Sequence, residues 1–282
     1  MLSYQRVIHK SMEEIMNLVS GGSGRIFGVT PNGALNFYKY SGNGNSDPSG
    51  ATGFEPNSGN QIGNGFNNFT RLVSGPDSVI FGVHPNGDLL YFKYVGNGQS
   101  DPSGATGFDP NSGNQIGNGF NNFGLLVGGG DGVIFGVHPN GDLLYFKYVG
   151  NGQSVPSGAT GFDANSGNQI GRGFNNFTRL VSGGDGVIFG VHPNGDLLYF
   201  NYVGGGKSDP SGATGFGPNS GNQIGNGFNN FSLVVGGGDR VIFGVHPNGD
   251  LLYFKYVGDG QSVPSGSTGF DPNSGNQIGR GF

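Results

Sequence analysis

The stretch that decides the fold runs from residue 79 to residue 93 and reads Val79-Ile80-Phe81-Gly82-Val83-His84-Pro85-Asn86-Gly87-Asp88-Leu89-Leu90-Tyr91-Phe92-Lys93. Two runs of β-branched, aliphatic and aromatic residues flank Pro-Asn-Gly-Asp, and both runs predict strands, over 79–83 and 89–95. Asn-Gly between such runs predicts a hairpin with a type I′ turn, in which both central residues have positive φ. The stretch therefore predicts two antiparallel strands.

The same stretch recurs along the whole chain. Phe-Gly-Val begins at five positions spaced 54 residues apart, and segments 81–134 and 135–188 agree at 48 of 54 positions. A fixed period of this length indicates a repeat architecture in which each unit is one supersecondary element. The five starts are Phe27, Phe81, Phe135, Phe189 and Phe243.

Each unit carries further strand signals. Residues 69–73 alternate in polarity and predict a first strand, residues 74–78 predict a turn, and a weaker fourth strand is expected between 105 and 116, after a loop rich in Gly, Ser, Pro and Asn. In the third strand, Leu90, Phe92 and Tyr94 share one face, and Leu89, Tyr91 and Lys93 share the other. No stretch of the unit has helical periodicity.

Four antiparallel strands repeated five times predict an all-β fold, a five-bladed β-propeller with a 54-residue repeat. A right-handed β-helix is the alternative architecture, but it would have shorter coils and would not use Asn-Gly hairpins. The phase predicts an N-terminal arm at 1–12 and one propeller over 13–282, with blades 13–66, 67–120, 121–174, 175–228 and 229–282. The ring would then close by packing of Phe282 near Glu13, whereas a shifted division would exchange a strand.

Composition excludes several classes of protein. Gly (62 residues) and Pro (15) are frequent enough to suggest disorder, but aromatic residues make up 12% of the chain, which favours a folded protein with many turns. The net charge of −5 and the lack of a basic patch argue against nucleic-acid binding. The absence of Cys excludes disulfides, thiolate zinc sites and a cysteine nucleophile.

The longest apolar runs, such as residues 89–92, are far too short for a membrane helix, so membrane insertion is not expected. The first ten residues show no apolar h-region. We therefore expect a cytoplasmic protein or one exported by a leaderless route.

A nine-residue motif, Gln-Ile-Gly-x-Gly-Phe-Asn-Asn-Phe, stands at each junction between units, at 61–69, 115–123, 169–177 and 223–231. With the strand and Pro-x-Gly turn that follow it, this motif resembles the tachylectin family of five-bladed propeller lectins, whose repeats carry Ile-Gly-x-Gly-Gly-Trp-Asn-Asp-Phe. The resemblance covers the chain from Glu13 onward. Two positions depart from the family pattern: Phe replaces Trp, and the second Asn replaces Asp.

The resemblance implies a multivalent carbohydrate-binding lectin, or agglutinin, that recognises terminal N-acetylglucosamine or a related N-acetylated sugar in equivalent pockets between adjacent blades. Its partners would be glycans or glycoconjugates, and no cofactor is implied. Asn amides donate and accept hydrogen bonds with sugar hydroxyls, and sugar C–H faces lie on aromatic rings. The candidate site residues are Phe66, Asn67, Asn68, Phe120, Asn121, Asn122, Phe174, Asn175, Asn176, Phe228, Asn229 and Asn230.

Each of these residues also has a purely structural interpretation. The Asn pair would cap a loop through Asx turns, and the Phe rings would fill gaps between blades. For Phe69 and its equivalents the structural role is expected. At the fifth junction Glu13-Glu14-Ile15 replaces Asn-Asn-Phe, which predicts four good sites and one weakened site.

Two other patterns give weak metal signals. His84, His138, His192 and His246 each precede a turn, but one imidazole per blade cannot build a tetrahedral site unless all meet at the axis. Residues 109–114 are only faintly similar to a calcium loop, and Gly217 breaks that pattern in the fourth unit. Neither predicts a metal site.

The repetition also argues against catalysis. Acid–base hydrolysis needs two carboxylates in different environments, whereas every carboxylate here has copies in the same environment. Several equivalent weak sites on one rigid ring instead raise avidity. The sequence therefore predicts a lectin rather than an enzyme, with a non-catalytic protein-interaction or structural propeller as the alternative.

Overall fold

The computed structural model describes residues 15–266 and 268–282 and shows five four-stranded antiparallel sheets, which we call blades 1 to 5. In each blade the strands are hydrogen-bonded in chain order. The strands of blades 1 and 2 are β1 (Asn17–Gly22), β2 (Arg25–Val29), β3 (Leu35–Lys39), β4 (Asn60–Gly63), β5 (Arg71–Ser74), β6 (Val79–Val83), β7 (Leu89–Lys93) and β8 (Asn114–Gly117). Those of blade 3 are β9 (Leu125–Gly130), β10 (Val133–Val137), β11 (Leu143–Lys147) and β12 (Asn168–Gly171).

Blades 4 and 5 repeat the pattern. Their strands are β13 (Arg179–Gly184), β14 (Val187–Val191), β15 (Leu197–Asn201), β16 (Asn222–Gly225), β17 (Leu233–Gly238), β18 (Val241–Val245), β19 (Asp250–Lys255) and β20 (Asn276–Arg280). The prediction of an all-β, five-bladed propeller is confirmed. The division at residue 66 and its equivalents, with an arm at 1–12, stays a prediction, and the arm lies outside the described residues.

The first strand of every blade faces a narrow axial channel of about 70 Å³. Leu or Val side chains line it, and Ser20, Ser74, Gly128, Ser182 and Gly236 stand at one level of it. A Cβ at Gly128 would lie 2.1 Å from the backbone oxygen of Ser74, so this level has no room for five side chains. The inner wall is therefore close-packed rather than an open pore.

The hairpin predicted at Pro85-Asn86-Gly87 forms, but its turn type was predicted wrongly. The amide of Gly87 donates to the carbonyl of His84 (2.9 Å), and Gly87 alone has positive φ (95°). Pro85 fixes a negative φ at the first turn position, so the chain makes a type I turn followed by a left-handed glycine. Consecutive residues with positive φ, as a type I′ turn requires, occur instead between the first and second strands of a blade, as at Asp131 and Gly132 of blade 3 (φ of 46° and 78°).

Short 3₁₀ turns lie at the blade junctions, and the sequence did not predict them. They are Phe66–Asn68, Phe120–Asn122, Phe174–Asn176 and Phe228–Asn230. They shift the start of the first strand from the predicted residue 69 to Arg71 in blade 2. The third strand ends at Lys93 rather than 95, and the next residue, Tyr94, forms only an isolated bridge with Phe108 while its amide donates to the carbonyl of Ser78 (3.1 Å). The described residues contain no α-helix.

Aromatic rings join the blades. Tyr148 of blade 3 inserts between Phe81 and Tyr91 of blade 2, with ring centroids 5.7 and 5.9 Å apart. Its hydroxyl accepts a hydrogen bond from the amide of Gly152 (2.7 Å). The same contact closes the ring, where Tyr40 of blade 1 lies 5.8 Å from Phe243 of blade 5.

Two asparagines of each blade reach across to the next one. In blade 2 the side-chain amides of Asn111 and Asn114 donate to the carbonyls of Asn151 and Gly152, both at 2.9 Å. Asn273 and Asn276 make the same bonds, also at 2.9 Å, to Asn43 and Gly44 and so join blade 5 to blade 1. Ring closure thus uses packing and hydrogen bonds at the chain's two ends, and β1 to β4 form one contiguous sheet.

We expect Gly152→Ala to lower the free energy of unfolding by roughly 2 to 5 kcal/mol. Gly152 has φ of 80°, and a Cβ there would lie 2.3 Å from the Tyr91 ring. Gly113→Ala is the matched control, because its φ is 90° but no atom lies within 4 Å of its Cβ. Chemical denaturation of both variants measures the difference, and equal losses would contradict the packing argument.

We expect the melting temperature to fall as the pH rises from 10 to 12. Burial raises the pKa of Tyr91, Tyr145 and Tyr253 to about 12, with nearby Asp109 and Tyr148 adding to the rise for Tyr91. Because these groups ionise more easily in the unfolded chain, their stabilisation is complete below pH 10 and is lost as the pH approaches 12.

Scanning calorimetry across this pH range measures the effect. Tyr91→Phe is the test variant, since Phe37 occupies this position in blade 1 and shows that the ring fits without a hydroxyl. The variant should lose less stability at alkaline pH than the parent. An unchanged pH profile would contradict the assignment.

Candidate functional site

A cleft opens between blades 4 and 5. The cleft between blades 4 and 5, cleft 4/5, has a volume of about 330 Å³, near the lower end of small-molecule sites. Blade 4 contributes the segment after β16, and blade 5 contributes β19 and the long loop that precedes β20. Its lining residues are Gly225, Asn226, Phe228, Phe254, Ser265, Gly266, Phe270, Asp271, Pro272 and Ser274.

Aromatic rings form the floor of this cleft. Phe228 and Phe270 lie nearly parallel with centroids 6.5 Å apart, and Phe228 lies 5.1 Å from Phe254. Phe228 is buried, whereas Phe254 and Phe270 are half-buried. The apolar surface open to a ligand therefore belongs mainly to the latter two rings.

Polar groups form the rim. The Asn226 side chain is exposed and has no hydrogen-bond partner among residues 15–266 and 268–282. The Asp271 carboxylate accepts a hydrogen bond from the amide of Asn273 (2.9 Å), which holds it in an Asx turn. An exposed amide on one side and a carboxylate on the other give the cleft donors and acceptors around an aromatic floor.

The 54-residue repeat places equivalent residues at every junction. The corresponding clefts are named 1/2, 2/3, 3/4 and 5/1 after the blades that flank them. In each, a Phe that follows the last strand of one blade stacks on a Phe of the next blade, as in Phe66–Phe108 (6.2 Å) and Phe120–Phe162 (6.2 Å). Phe282, the last residue, fills this place in cleft 5/1 and lies 5.9 Å from Phe54.

The structure separates the predicted site residues into three kinds. Phe66, Phe120, Phe174 and Phe228 are buried at the cleft floors. The first Asn of each pair is exposed, but its amide donates to a turn carbonyl of its own blade, as in Asn121 to Pro85 (3.2 Å). The side chain of the second Asn, for example Asn122, is exposed and has no hydrogen-bond partner among the described residues. Of the pair, only this second Asn keeps its side-chain amide unbonded, and neither Asn229 nor Asn230 belongs to the lining of cleft 4/5.

Other predictions have mixed outcomes. Phe69, for which a structural role was expected, packs against Phe66, Phe92 and the ring of His84. The predicted weakening of the fifth site depends on Glu13 and Glu14, which lie outside the described residues. Within 15–266 and 268–282 no three His, Asp or Glu side chains come close enough to hold a metal ion.

Sequence reasoning missed the polar rim. Asn226 and its equivalents occupy the variable x of Ile-Gly-x-Gly-Phe, and Asp271 starts the loop that was compared with a calcium site. The signal in the sequence was a residue that differs between copies of an otherwise constant motif. The role of this residue becomes visible only in the folded ring, where the next blade places its loop on the opposite side of the cleft.

The geometry defines a class of protein, a five-bladed β-propeller with repeated clefts between blades. The Tachylectin family model matches residues 3–107, so this part of the chain is similar to that family of proteins. None of the curated proteins matches the chain.

Three solved structures are similar to the chain to different degrees. A symmetrical protein whose de novo evolutionary emergence is described as shaped by folding constraints is 20% identical, with a TM-score of 0.58, and the match covers 92% of this chain and 94% of that one. A Trichoderma reesei protein of carbohydrate-active enzyme family AA12 is 11% identical (TM-score 0.49; 94% and 84%). The Aleuria aurantia fucose-specific lectin is 13% identical (TM-score 0.37; 94% and 78%). The first likeness concerns the fold alone, and the other two are too low to carry an argument.

No helix among the described residues has the length and apolar character needed to cross a membrane.

We expect Asn121→Ala to lower the free energy of unfolding by about 0.5 to 1.5 kcal/mol, since it removes the bond to the Pro85 carbonyl. Asn122→Ala, the matched control, should leave stability unchanged within about 0.5 kcal/mol because its side chain has no partner to lose. Thermal denaturation compares the two. A larger loss for Asn122→Ala would show that the second Asn is structural.

Proposed function

We propose that the protein is a multivalent lectin that binds terminal sugars, N-acetylglucosamine or a related N-acetylated sugar, in the clefts between adjacent blades. The observation that carries the proposal is the aromatic floor and polar rim of cleft 4/5, repeated by sequence around the ring. The match of residues 3–107 to the Tachylectin family model supports a carbohydrate-binding role. The preference for an N-acetylated sugar rests on the resemblance to tachylectins.

The cleft chemistry suits a pyranose ring. The half-buried faces of Phe254 and Phe270 would receive the C–H face of the sugar. The amides of Asn226 and Asn230 would donate to and accept from hydroxyl and acetamido groups, and Asp271 would accept from a hydroxyl. In this proposal Phe228 supports the floor from below rather than stacking directly on the ligand.

The proposed role is binding without catalysis. Each site alone would be weak, because the cleft is open and covers only part of a sugar. Several such clefts on one rigid ring raise the avidity for a surface that displays many glycans by roughly 10²- to 10⁴-fold. The partners would be glycoconjugates with terminal N-acetylated sugars, which the protein would cross-link.

Isothermal calorimetry with N-acetylglucosamine tests the proposal. We expect four or five sites per chain. Asn226→Ala, at a lining residue of cleft 4/5, and Asn230→Ala, at an exposed amide beyond the floor residue Phe228, should each remove one site and leave the affinity of the others unchanged. Asp131→Asn is the control: Asp131 is exposed and pairs with Lys147 (2.9 Å) in a hairpin turn away from the clefts.

A control variant that binds like the parent, with cleft variants that lose one site each, would support the proposal. Heat from a single site, or equal binding by all variants, would contradict the inter-blade assignment. The absence of binding to N-acetylglucosamine and to an array of other glycans would favour the alternative, a non-catalytic propeller scaffold.

A further inference from the structure

The five clefts are not electrostatically equivalent. At the rim position of Asn226, clefts 1/2 and 2/3 also have asparagine, but clefts 3/4 and 5/1 have Arg172 and Arg280. A neutral amide is thus replaced by a permanent positive charge in two of the clefts. Both arginines are exposed, and neither forms an ion pair with a described residue.

The opposite wall changes as well. Asp271 of cleft 4/5 corresponds to Asp109, Asp163 and Glu55 in clefts 1/2, 2/3 and 5/1. In cleft 3/4 the equivalent residue is Gly217, which has no side chain. Cleft 3/4 therefore combines a rim arginine with the loss of the carboxylate that faces the ligand position in the other four.

The neighbouring charges do not cancel this difference. The carboxylate of Asp209, on the loop beside cleft 3/4, accepts bonds from Ser211 Oγ (2.7 Å) and the Thr214 amide (2.8 Å). Those bonds hold its pKa well below the usual range and turn its charge into its own loop. Asp101 makes the same contacts beside cleft 1/2, so this carboxylate does not distinguish the two clefts.

One lysine is also missing near cleft 3/4, where Asn201 occupies the position of Lys147 and Lys255. Those lysines bind Asp131 and Asp239, at 2.9 and 3.0 Å, in the hairpin turns of their own blades. In blade 1 the equivalent Lys39 instead pairs with the wall residue Glu55 (2.9 Å), so a lysine at this position can reach the cleft wall. With Asn201 and Gly217, cleft 3/4 lacks both members of that ion pair.

The aromatic floor of cleft 3/4 is intact. Phe174 and Phe216 lie nearly parallel at 5.9 Å, and Phe174 lies 5.0 Å from Phe200. The cleft can receive the same sugar face as its neighbours, with a guanidinium at the rim in place of an amide. Arginine pairs with carboxylate and sulfate oxygens through two parallel N–H donors.

We propose that cleft 3/4 binds an anionic sugar, one that carries a carboxylate or sulfate group, with Arg172 as the specificity-determining residue. The three clefts with a neutral rim and a facing aspartate would disfavour such a ligand through like-charge repulsion. This inference rests on the proposed sugar binding of the clefts and assigns one of them a distinct ligand class.

Cleft 5/1 provides the internal comparison. Its rim residue Arg280 shares the cleft with Glu55, which forms an ion pair with Lys39 (2.9 Å) and occupies the wall position that is empty at Gly217. Lys39 offsets part of the Glu55 charge, but the carboxylate still occupies the wall that is open at Gly217 and leaves less room for an anionic group. Arg280 should therefore contribute little to the binding of anionic sugars.

The test is calorimetry with three probes: N-acetylneuraminic acid, N-acetylglucosamine 6-sulfate and neutral N-acetylglucosamine. We expect one site per chain for an anionic probe, with affinity that falls as salt is added. Arg172→Asn should weaken that site about tenfold or more, because a charge-assisted pair is lost. Arg280→Asn, the matched control, should leave it unchanged. The two anionic probes separate a carboxylate preference from a sulfate preference.

A second variant guards against an indirect effect. Gly217→Asp restores the wall carboxylate without touching Arg172 and should also weaken the anionic site while N-acetylglucosamine binding persists. If N-acetylglucosamine binds but neither anionic probe does, or if Arg172→Asn binds both anions like the parent, this inference is wrong and the proposed function stands. If no sugar binds, both are overturned.

Discussion

The structure depends on closing a ring of five blades. The interaction that closes it is the insertion of a tyrosine of one blade between aromatic rings of the preceding blade, which we call the tyrosine wedge. Tyr148 inserts into the aromatic layer of the preceding blade, and Tyr40 makes the same contact where the chain's two ends meet. A single blade exposes both faces of its sheet, so neither face is buried until a neighbour packs against it. The clefts exist only because these wedges fix the angle between blades.

The tyrosine wedge requires a glycine at a fixed position in the loop that follows it. The hydroxyl of each wedge tyrosine is held by the amide of a glycine four residues later, as in Tyr148 and Gly152. That glycine must lack a Cβ because the preceding blade's aromatic ring lies against it. The asparagine bonds that accompany it then tie the same loop to the neighbouring sheet. Part of the high glycine content thus reflects close approach between blades rather than disorder.

Internal repetition gives the protein both its stability and its proposed chemistry. A contact that stabilises one pair of blades recurs around the ring. The aromatic floors and polar rims of the clefts recur in the same way. Differences between copies therefore carry information, because the packing around them is constant. Arg172 with Gly217 is the clearest case: the floor is kept, and only the charge at the rim and wall changes.

Periodicity in the sequence determined the number of blades, the hairpin strands 79–83 and the propeller class, because alternation and turn chemistry are local properties. It also located the buried Phe66 and the Asn pairs at the junctions. It could not show that Asn121 binds a turn carbonyl while Asn122 stays free, since a one-residue shift along a 3₁₀ turn decides which side chain faces the protein. Nor could it show that Asn226 lies opposite Asp271. These two residues belong to different blades, and only the packing of one blade on the next brings them to the same cleft.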